Sequence, residues 1–345
     1  MSPSEQIDYS SLIRTYPWIV KRNQNCILSP DSDGFLCGLL ATHLLNWKVV
    51  GFYDNGKQLL IKHGISAKEC IFLDADINRE DTRSIGHHMV TYNKRLSPPN
   101  FNYKNCIQAN ILRGFDGKND FQRKYPFGTI HLLLGIFQHV DLITRLSASA
   151  EWPLLFTDGV WNNLFGYTEN CLNWITYLKI DTKKHVLYDI FCSEDLSVYK
   201  TMQGLNGFLR ARDSFDAKGY YYKNKYELGG RNKRTGDKLR LSGKNKDLIN
   251  LEKKNDLYSI HFEEKQRIES FVKHMGHLAE WEYLPEKWAW DDFELFTFEK
   301  SALPQNATSK PALSNASYEE LMSKNPLSMA MTSGNQIEYT LGNLS

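Results

Sequence analysis

Residues 26–53, CILSPDSDGFLCGLLATHLLNWKVVGFY, contain two apolar runs separated by a helical pattern. The run at 26–28 is typical of a short buried strand. Residues 35–47 have apolar positions spaced by about 3.6 residues, which indicates a helix. Residues 48–53 form the next predicted strand. Because strands that alternate with helices are typical of a parallel sheet, this stretch predicts an α/β fold.

Apolar segments continue this alternation along the chain. We predict further strands at 59–61 and 70–73, and buried helices at 129–140 and 172–178. Residues 262–283 carry apolar side chains on one helical face and predict an amphipathic helix.

The composition limits the kind of protein. A chain of 345 residues with 41% hydrophobic residues suits a globular protein of about two domains. The formal net charge of +2 gives no overall field for a polyanion, so any basic surface is local. Six cysteines without a C-x-x-C pair predict reduced core thiols and exclude a zinc knuckle. The early acidic residues and the absence of a run of about 18 apolar residues predict a cytoplasmic protein without a membrane partner.

Acidic residues follow two of the predicted strands. Asp31 and Asp33 come shortly after the first strand, and Asp74 and Asp76 come directly after the strand at 70–73. Carboxylates this close repel one another, which is tolerable in water or around a cation. Ligands of parallel sheets bind at the carboxyl ends of strands. The pairs therefore indicate a cation site. The alternatives are a solvated turn for Asp31 and Asp33 and a helix cap for Asp74 and Asp76.

The segment IFLDADINREDTRSIGHHMV at 71–90 adds two adjacent histidines, His87 and His88. Neighbouring side chains point in different directions in an extended or turn conformation, so one histidine can bind a metal while the other faces a substrate. Another apolar run ends at Asp158, which precedes a glycine. Aspartates combined with an imidazole favour Mn²⁺ or Mg²⁺ over a thiolate-selective ion. Alone, each histidine also fits an ordinary surface or core position.

Residues 222–254 form a basic stretch that contains glycine. If this stretch borders the cleft, it neutralises backbone phosphates and makes nucleic-acid binding fall steeply with salt. The alternative is a solvated loop. The predicted nucleic-acid-binding residues are Arg231, Lys233, Arg234, Lys238, Arg240 and Lys244.

The order of these motifs resembles the DHH phosphoesterase superfamily. Its members have Asp-x-Asp-Gly after a first strand, an Asp after a later strand, His-His about a dozen residues on, and an Asp after a buried helix. The superfamily includes RecJ-type single-strand nucleases, oligonucleotide and cyclic-dinucleotide phosphodiesterases, and family II inorganic pyrophosphatases. The resemblance covers about residues 25–180, and NCIQAN at 105–110 and KYPFGTIHLLL at 124–134 also resemble family segments.

The resemblance implies a role for each candidate residue. Asp31 would bind one metal ion and Asp33 a second, and Asp74 would bridge both ions. His87 and Asp158 would complete the second site. His88 would contact the scissile phosphate or stabilise its developing charge. The implied catalytic residues are thus Asp74 and His88, and two cations about 4 Å apart would hold the phosphate during in-line displacement.

This chain departs from the family pattern at several positions. Gly86 stands where the name-giving triplet has Asp, and Ile27 and Ser29 stand where a further ligand often precedes the first Asp pair. The first metal site would therefore lack a ligand, whereas the other metal site would have its full set. The GGGH-type signature of the accessory domain is also absent. The expected cofactor is accordingly one or two Mn²⁺ or Mg²⁺ ions.

The same resemblance implies the domain organisation. The expected fold is α/β, with a parallel-sheet DHH-type catalytic domain at 1–182 and a smaller α+β accessory region after it. Residues 183–300 would form a helical linker and the basic region. Residues 301–345 would complete an accessory substrate domain with a helix, capped by Ser317 and Glu320, and a β-hairpin.

These observations lead to a predicted function. The leading hypothesis is a metal-dependent phosphodiesterase, a nuclease that hydrolyses single-stranded nucleic acid with a metal-activated water. One alternative is an oligonucleotide or cyclic-dinucleotide phosphodiesterase. Another is a catalytically silent binding subunit with the same fold. The expected partner is single-stranded nucleic acid or a short oligonucleotide. The sequence is also compatible with a homodimer.

Overall fold

The computed structural model describes residues 6–54, 56–194, 197–215, 237–242, 248–304 and 313–344. These residues form a mixed α/β structure with one nine-stranded sheet and one three-stranded sheet. The strands are β1 (Asn25–Leu28), β2 (Lys48–Asp54), β3 (Gln58–Lys62), β4 (Ile71–Leu73), β5 (Arg83–Gly86), β6 (Cys106–Gln108), β7 (Leu251–Lys254), β8 (Leu257–Ile260), β9 (Phe293–Thr297), β10 (Glu299–Leu303), β11 (Ser328–Ser333) and β12 (Gln336–Leu341).

The large sheet has the strand order β6-β5-β4-β1-β2-β3-β9-β8-β7. From β6 to β2 all neighbours are parallel, whereas β3, β9, β8 and β7 each pair in the antiparallel sense. The predicted parallel sheet is therefore correct for one half and wrong for the other. Residues 55–57 alone separate β2 from β3. A connection this short forms a hairpin, because a parallel crossover needs about a dozen residues or more.

Twelve helices accompany the sheets in the described ranges. They are α1 (Tyr9–Thr15), α2 (Ser32–Leu45), α3 (Ala109–Leu112), α4 (Gly117–Asp120), α5 (Thr129–His139), α6 (Glu151–Phe156), α7 (Val160–Gly166), α8 (Thr168–Tyr177), α9 (Tyr188–Phe191), α10 (Val198–Ser214), α11 (Phe262–Ala279) and α12 (Asn315–Ser323). The predicted long helices correspond to α2, α5, α8 and α11.

Helix α2 is buried on almost every side. It packs against β1, β2 and β4 of the sheet, and α5 and α11 cover its other faces. This position explains why its sequence is apolar nearly throughout, with polar residues only near its two ends. The helix starts directly after the loop that follows β1, so its first turn lies at the carboxyl edge of the parallel strands.

The segment at 183–300 differs from the predicted helical linker. It contains α9, α10 and α11 but also contributes β7, β8 and β9 to the large sheet, where β9 pairs with β3. Strands β7 and β8 form a hairpin at the sheet edge, and β7 is largely exposed. Its sequence, LEKK, lacks the apolar alternation that would identify a strand, which is why the prediction missed it.

The predicted C-terminal hairpin is confirmed by β11 and β12, which pair antiparallel around Gly334. Strand β10 pairs with β12 and completes the small sheet. The helix before the hairpin begins after Ser314, whose hydroxyl accepts a hydrogen bond from the backbone N–H of Ser317 at 3.2 Å. The cap predicted at Ser317 is thus wrong by one turn, because Ser317 occupies the third helical position.

Backbone hydrogen bonds hold the small sheet beside the loop that follows β4. The N–H of Asn78 donates to the carbonyl of Leu327 at 2.7 Å, and the N–H of Met331 donates to that of Met89 at 2.9 Å. The small sheet therefore lies next to the chain segment that carries Asp74, Asp76 and the histidine pair.

All six cysteines are unpaired, and five of them are buried, as expected for core thiols. Trp281, Trp288 and Trp290, which follow α11, are also buried. Across the described ranges, no helix combines the length and the apolar character needed to cross a bilayer.

Candidate metal centre

Four side chains from distant parts of the sequence converge at one place. Asp33, Asp74, His87 and Asp158 each offer a ligand atom, and these atoms all lie within 4.8 Å of one another. Asp33 lies in the first turn of α2 after β1, whereas Asp74 and His87 directly follow β4 and β5. Since β5, β4 and β1 are adjacent parallel strands, their carboxyl ends share one edge, as predicted.

Asp158 reaches the centre from a turn between α6 and α7. Its backbone has φ 50°, and Gly159 after it has φ 65°. Asp74 is also left-handed, with φ 59°. Aspartate tolerates this conformation better than most residues, and such backbone strain is common at functional sites. Two of the three carboxylates are therefore placed by backbone that ordinary strand and helix geometry does not supply.

The imidazole of His87 lies among the three carboxylates. Its Nδ1 is 3.2 Å from Asp74 Oδ1 and 3.7 Å from Asp33 Oδ2. Its Nε2 is 3.6 Å from Asp158 Oδ2. The centre thus presents one nitrogen ligand and three oxygen ligands at close range.

The N-terminus of α5 supports two of these residues. Asp33 accepts hydrogen bonds from the backbone N–H groups of Thr129 at 2.6 Å and Ile130 at 3.1 Å. The Thr129 hydroxyl donates to Asp74 Oδ1 at 2.9 Å and lies 3.0 Å from His87 Nδ1. A side chain on Gly128 would bring its Cβ to 2.8 Å from Asp33 Oδ1. The close approach of helix and carboxylate therefore requires glycine here, and the helix dipole favours the negative charge.

We expect Thr129→Val to weaken Mn²⁺ binding by about 10–100-fold, the usual effect of removing a hydrogen-bond partner behind a metal ligand. Valine keeps the shape of the side chain and the N–H that binds Asp33, but it loses the hydroxyl between Asp74 and His87. Calorimetric titration with Mn²⁺ measures the change. Thr168→Val is the control, because that exposed hydroxyl donates to the backbone carbonyl of Leu164 in α7, away from the centre. Equal affinities for the two variants would contradict the assigned role.

The electrostatics of the centre favour a cation. Burial raises the pKa of Asp33 and Asp74 well above the usual range, and neighbouring carboxylates raise it further. Burial also raises the pKa of Asp158, and His87 offsets part of that rise. Ionised carboxylates buried together need a compensating positive charge. Three aspartate oxygens and one imidazole form a donor set that suits Mn²⁺ or Mg²⁺.

A cavity of about 750 Å³ lies beside the four residues. Asp74 and Asp158 contribute to its wall, together with Asp31, Asp76 and His88. The small sheet supplies another part of the wall. Basic side chains also line the cavity, at Lys57, Lys124, Lys238, Arg240 and Lys300. The cavity therefore joins an acidic centre to a set of cationic groups.

His88 is the neighbour of a candidate ligand, but its ring lines the cavity instead of the centre. The two imidazole rings are 4.5 Å apart. Enclosure by the cavity walls, assisted by the charges of His87 and Lys124, lowers the pKa of His88 well below its usual value. His88 is exposed towards the cavity, where the N–H of a neutral imidazole can donate a hydrogen bond.

Asp31 lies outside the group of four. Its carboxylate caps α2 by accepting from the N–H of Gly34 at 3.3 Å, and Lys238 Nζ lies 3.6 Å from its Oδ2. Asp31 is thus a helix cap, whereas the alternative considered for Asp31 and Asp33 was a solvated turn. Its role as a ligand of a further ion stays a prediction.

The predicted nucleic-acid-binding residues divide into two groups. Lys238 and Arg240 line the cavity, and the N–H of Leu239 between them donates to the carbonyl of Pro30 at 2.9 Å. Lys124 and Lys300 also line the cavity and escaped the sequence analysis because they are isolated in the sequence. The remaining predictions, Arg231, Lys233, Arg234 and Lys244, lie outside the described residues.

The histidine pair is held by side chains that sequence reasoning did not single out individually. The amide of Asn110 donates to the carbonyl of His87 at 3.0 Å, and that of Gln108 donates to the carbonyl of His88. Both residues belong to NCIQAN, the segment whose likeness to family members was the available signal. The side chain of Gln108 also caps the N-terminus of α3 by accepting a hydrogen bond from the N–H of Ile111.

Comparisons with protein-family models, with curated proteins and with solved structures give no match for this chain.

Proposed function

We propose that the protein is a metal-dependent phosphodiesterase of the DHH type. The observation that carries this proposal is the convergence of Asp33, Asp74, His87 and Asp158 at the carboxyl edge of β1, β4 and β5. The sequence order of these residues and the parallel strands that bring them together agree with the resemblance that the motifs indicated. The four side chains would hold a divalent ion, Mn²⁺ or Mg²⁺.

The residues around the centre have separable tasks in this proposal. When bound, the divalent ion activates a water molecule and neutralises charge on the phosphoryl oxygens. Thr129 orients Asp74 and His87 through its hydroxyl. His88, uncharged and facing the cavity, donates a hydrogen bond to an oxygen of the scissile phosphate as negative charge develops there. Lys124 and Lys300 attract the anionic substrate.

The cavity supports nucleic acid as the substrate. Its volume of about 750 Å³ is larger than a single phosphate group would fill. Lys238 and Arg240 come from the basic stretch and lie at the same cavity as Asp74, so backbone phosphates could contact them while one phosphodiester reaches the centre. We therefore propose single-stranded nucleic acid as the substrate class.

One observation favours a second candidate, a short oligonucleotide or a cyclic dinucleotide. The cavity has walls from both sheets, since Lys300, Met329 and Thr340 of the small sheet line it together with Asp74. A site bounded in this way suits a ligand of a few nucleotides. The proposed chemistry is the same for both substrates.

The experiment that tests the function uses purified protein with Mn²⁺ or Mg²⁺. End-labelled single strands of about 15 nucleotides, dinucleotides and cyclic dinucleotides are incubated with the protein, and products are separated by length. Metal-dependent cleavage of the long strand supports the leading proposal, and cleavage confined to dinucleotides supports the second. Binding without cleavage in any metal would favour the silent binding subunit and contradict both enzymes.

We expect Arg240→Gln to raise the KM for a 15-nucleotide strand several-fold and to reduce the salt dependence of binding by about one unit of log K per log salt, the effect of one lost phosphate contact. Cleavage of bis(p-nitrophenyl) phosphate, which has a single phosphodiester, should stay within twofold. Arg22→Gln is the matched control, since Arg22 is exposed and lies outside the cavity lining. An unchanged salt dependence in Arg240→Gln would count against a bound strand.

A further inference from the structure

Asp76 is a buried carboxylate that the proposed metal centre does not use. Its side chain is 4% exposed and lies two residues beyond Asp74, in the loop after β4. It accepts a hydrogen bond from the backbone N–H of His88 at 3.1 Å, and the thiol of Cys106 lies 3.6 Å from its Oδ1. Burying a carboxylate costs free energy unless it is hydrogen-bonded. These bonds fix the backbone of the histidine pair.

Gly86 faces this carboxylate from the end of β5. A Cβ at position 86 would lie 2.4 Å from Asp76 Oδ1, 2.6 Å from its Cγ and 2.8 Å from its Oδ2. Atoms cannot approach this closely, so a side chain at 86 and the carboxylate of Asp76 compete for one space. The Asp76 carboxylate can therefore occupy this position only when residue 86 is glycine.

The bond to His88 has a simple local equivalent. An aspartate commonly accepts from the backbone N–H two residues further on, in an Asx turn. Position 86 is two residues before His88, so an aspartate there could bind the N–H that Asp76 now binds. Asp76 thus supplies, from the loop after β4, a carboxylate that could otherwise be placed at 86, the position where Gly86 departs from the DHH triplet.

The backbone of the pair determines where the two rings lie. Asp76 holds the N–H of His88, and Gln108 and Asn110 hold the carbonyls of His88 and His87. With these bonds, His87 lies at the metal centre and His88 lines the cavity. Without the bond to Asp76, only the bond from Asn110 holds the peptide between the two histidines, and the His88 ring is less firmly positioned.

We propose that Asp76, seated in the space left by Gly86, is a positioning residue that directs His88 at the substrate phosphate. The inference rests on the proposed hydrolytic function of the site. In this proposal Gly86 does not mark the loss of a functional carboxylate, because Asp76 supplies that carboxylate instead.

The test is an exchange of the two residues. Asp76→Gly should lower kcat by about 10–100-fold, a usual cost of removing the support of a reacting residue, while Mn²⁺ affinity changes by less than about threefold. Gly86→Asp alone should be as damaging, because two side chains meet in one space. The double variant Asp76→Gly/Gly86→Asp should recover at least about tenfold in kcat over Asp76→Gly, because the new carboxylate reaches the same N–H.

Asp76→Asn keeps the proposal testable if the double variant does not fold. Its amide oxygen can accept from the His88 N–H, so kcat should stay within about threefold of the wild type, whereas Asp76→Ala should match Asp76→Gly. A wild-type kcat in Asp76→Ala would overturn the proposal. A loss of Mn²⁺ affinity in Asp76→Ala as large as its loss of kcat would also overturn the proposal, because Asp76 would then act on the metal centre.

Hydrogen exchange separates this inference from the proposed function. The backbone amide of His88 should exchange at least about tenfold faster in Asp76→Ala than in the wild type, and slowly again in Asp76→Asn, whether or not the protein hydrolyses any substrate. An amide that exchanges equally in all three proteins would refute the positioning role. If the exchange rate of the His88 amide follows this pattern but no substrate is cleaved, the proposed hydrolytic function is wrong and the positioning of His88 by Asp76 is still supported.

Discussion

Asp74→Asn is expected to lower kcat by at least about 10³-fold, which corresponds to about 4 kcal/mol of transition-state stabilisation. Asp74 accepts from Thr129 at 2.9 Å and lies 3.2 Å from His87 Nδ1, so its carboxylate occupies the middle of the candidate centre. Asparagine has the same shape but carries no charge and has only one oxygen. The change therefore removes a charged ligand without opening a cavity in the core.

Steady-state kinetics at saturating Mn²⁺ measure this loss, and circular dichroism establishes that the variant is folded. We expect the metal-free variant to be as stable as the wild type or more stable, because one of several crowded carboxylates is gone. Asp291→Asn is the matched control, since Asp291 is exposed and pairs only with Lys62 at the surface. A kcat for Asp74→Asn within tenfold of the wild type would show that Asp74 does not hold the reacting ion.

Mn²⁺ is expected to stabilise the metal-free protein. An ion that binds only the folded state at 100 times its dissociation constant adds about 2.7 kcal/mol to the free energy of unfolding. With an entropy of unfolding of about 2.1 cal/mol/K per residue, this raises the Tm by about 4 °C. The physical reason is that Asp33, Asp74 and Asp158 repel one another in the metal-free centre, and the cation removes that repulsion.

Variants identify which residues produce the shift in Tm. Asp33→Asn and Asp158→Asn should each remove most of it, whereas Asp31→Asn should retain it, because Asp31 caps α2 outside the group of four. Differential scanning fluorimetry with and without Mn²⁺ measures all three. A full shift in Asp33→Asn would contradict the assigned ligands. A smaller shift in Asp31→Asn would support the sequence-based prediction that Asp31 binds a further ion.

Much of the centre could be predicted because it uses the regular geometry of a parallel sheet. Apolar runs identify β1 and β4, and polar residues that follow such runs lie at one edge of the sheet. Asp33 and Asp74 could therefore be grouped from their positions alone. The spacing of apolar residues likewise identified α5 and α11, because a helix with one buried face has a periodic signal, whereas α2, buried on almost every side, is recognisable by the length of its apolar run.

The parts that escaped prediction depend on contacts between distant residues. Strands β5 and β6 have only four and three residues and no alternation, so the pairing of β5 with β4 and of β6 with β5 was not evident. Asp158 was predicted as a ligand from the resemblance, but the left-handed turn that brings it to the centre was not. The need for Gly128 beside Asp33, and for Gly86 beside Asp76, arises from the approach of segments far apart in sequence.

The central claim is that Asp33, Asp74, His87 and Asp158 bind a divalent cation. Anomalous scattering from crystals soaked in Mn²⁺ tests it most directly. We predict a peak at the carboxyl edge of β1, β4 and β5, within about 2.0–2.4 Å of an oxygen or nitrogen of each of the four residues. An absent peak, or a peak whose ligands do not include Asp33, Asp74 and His87, would contradict the claim.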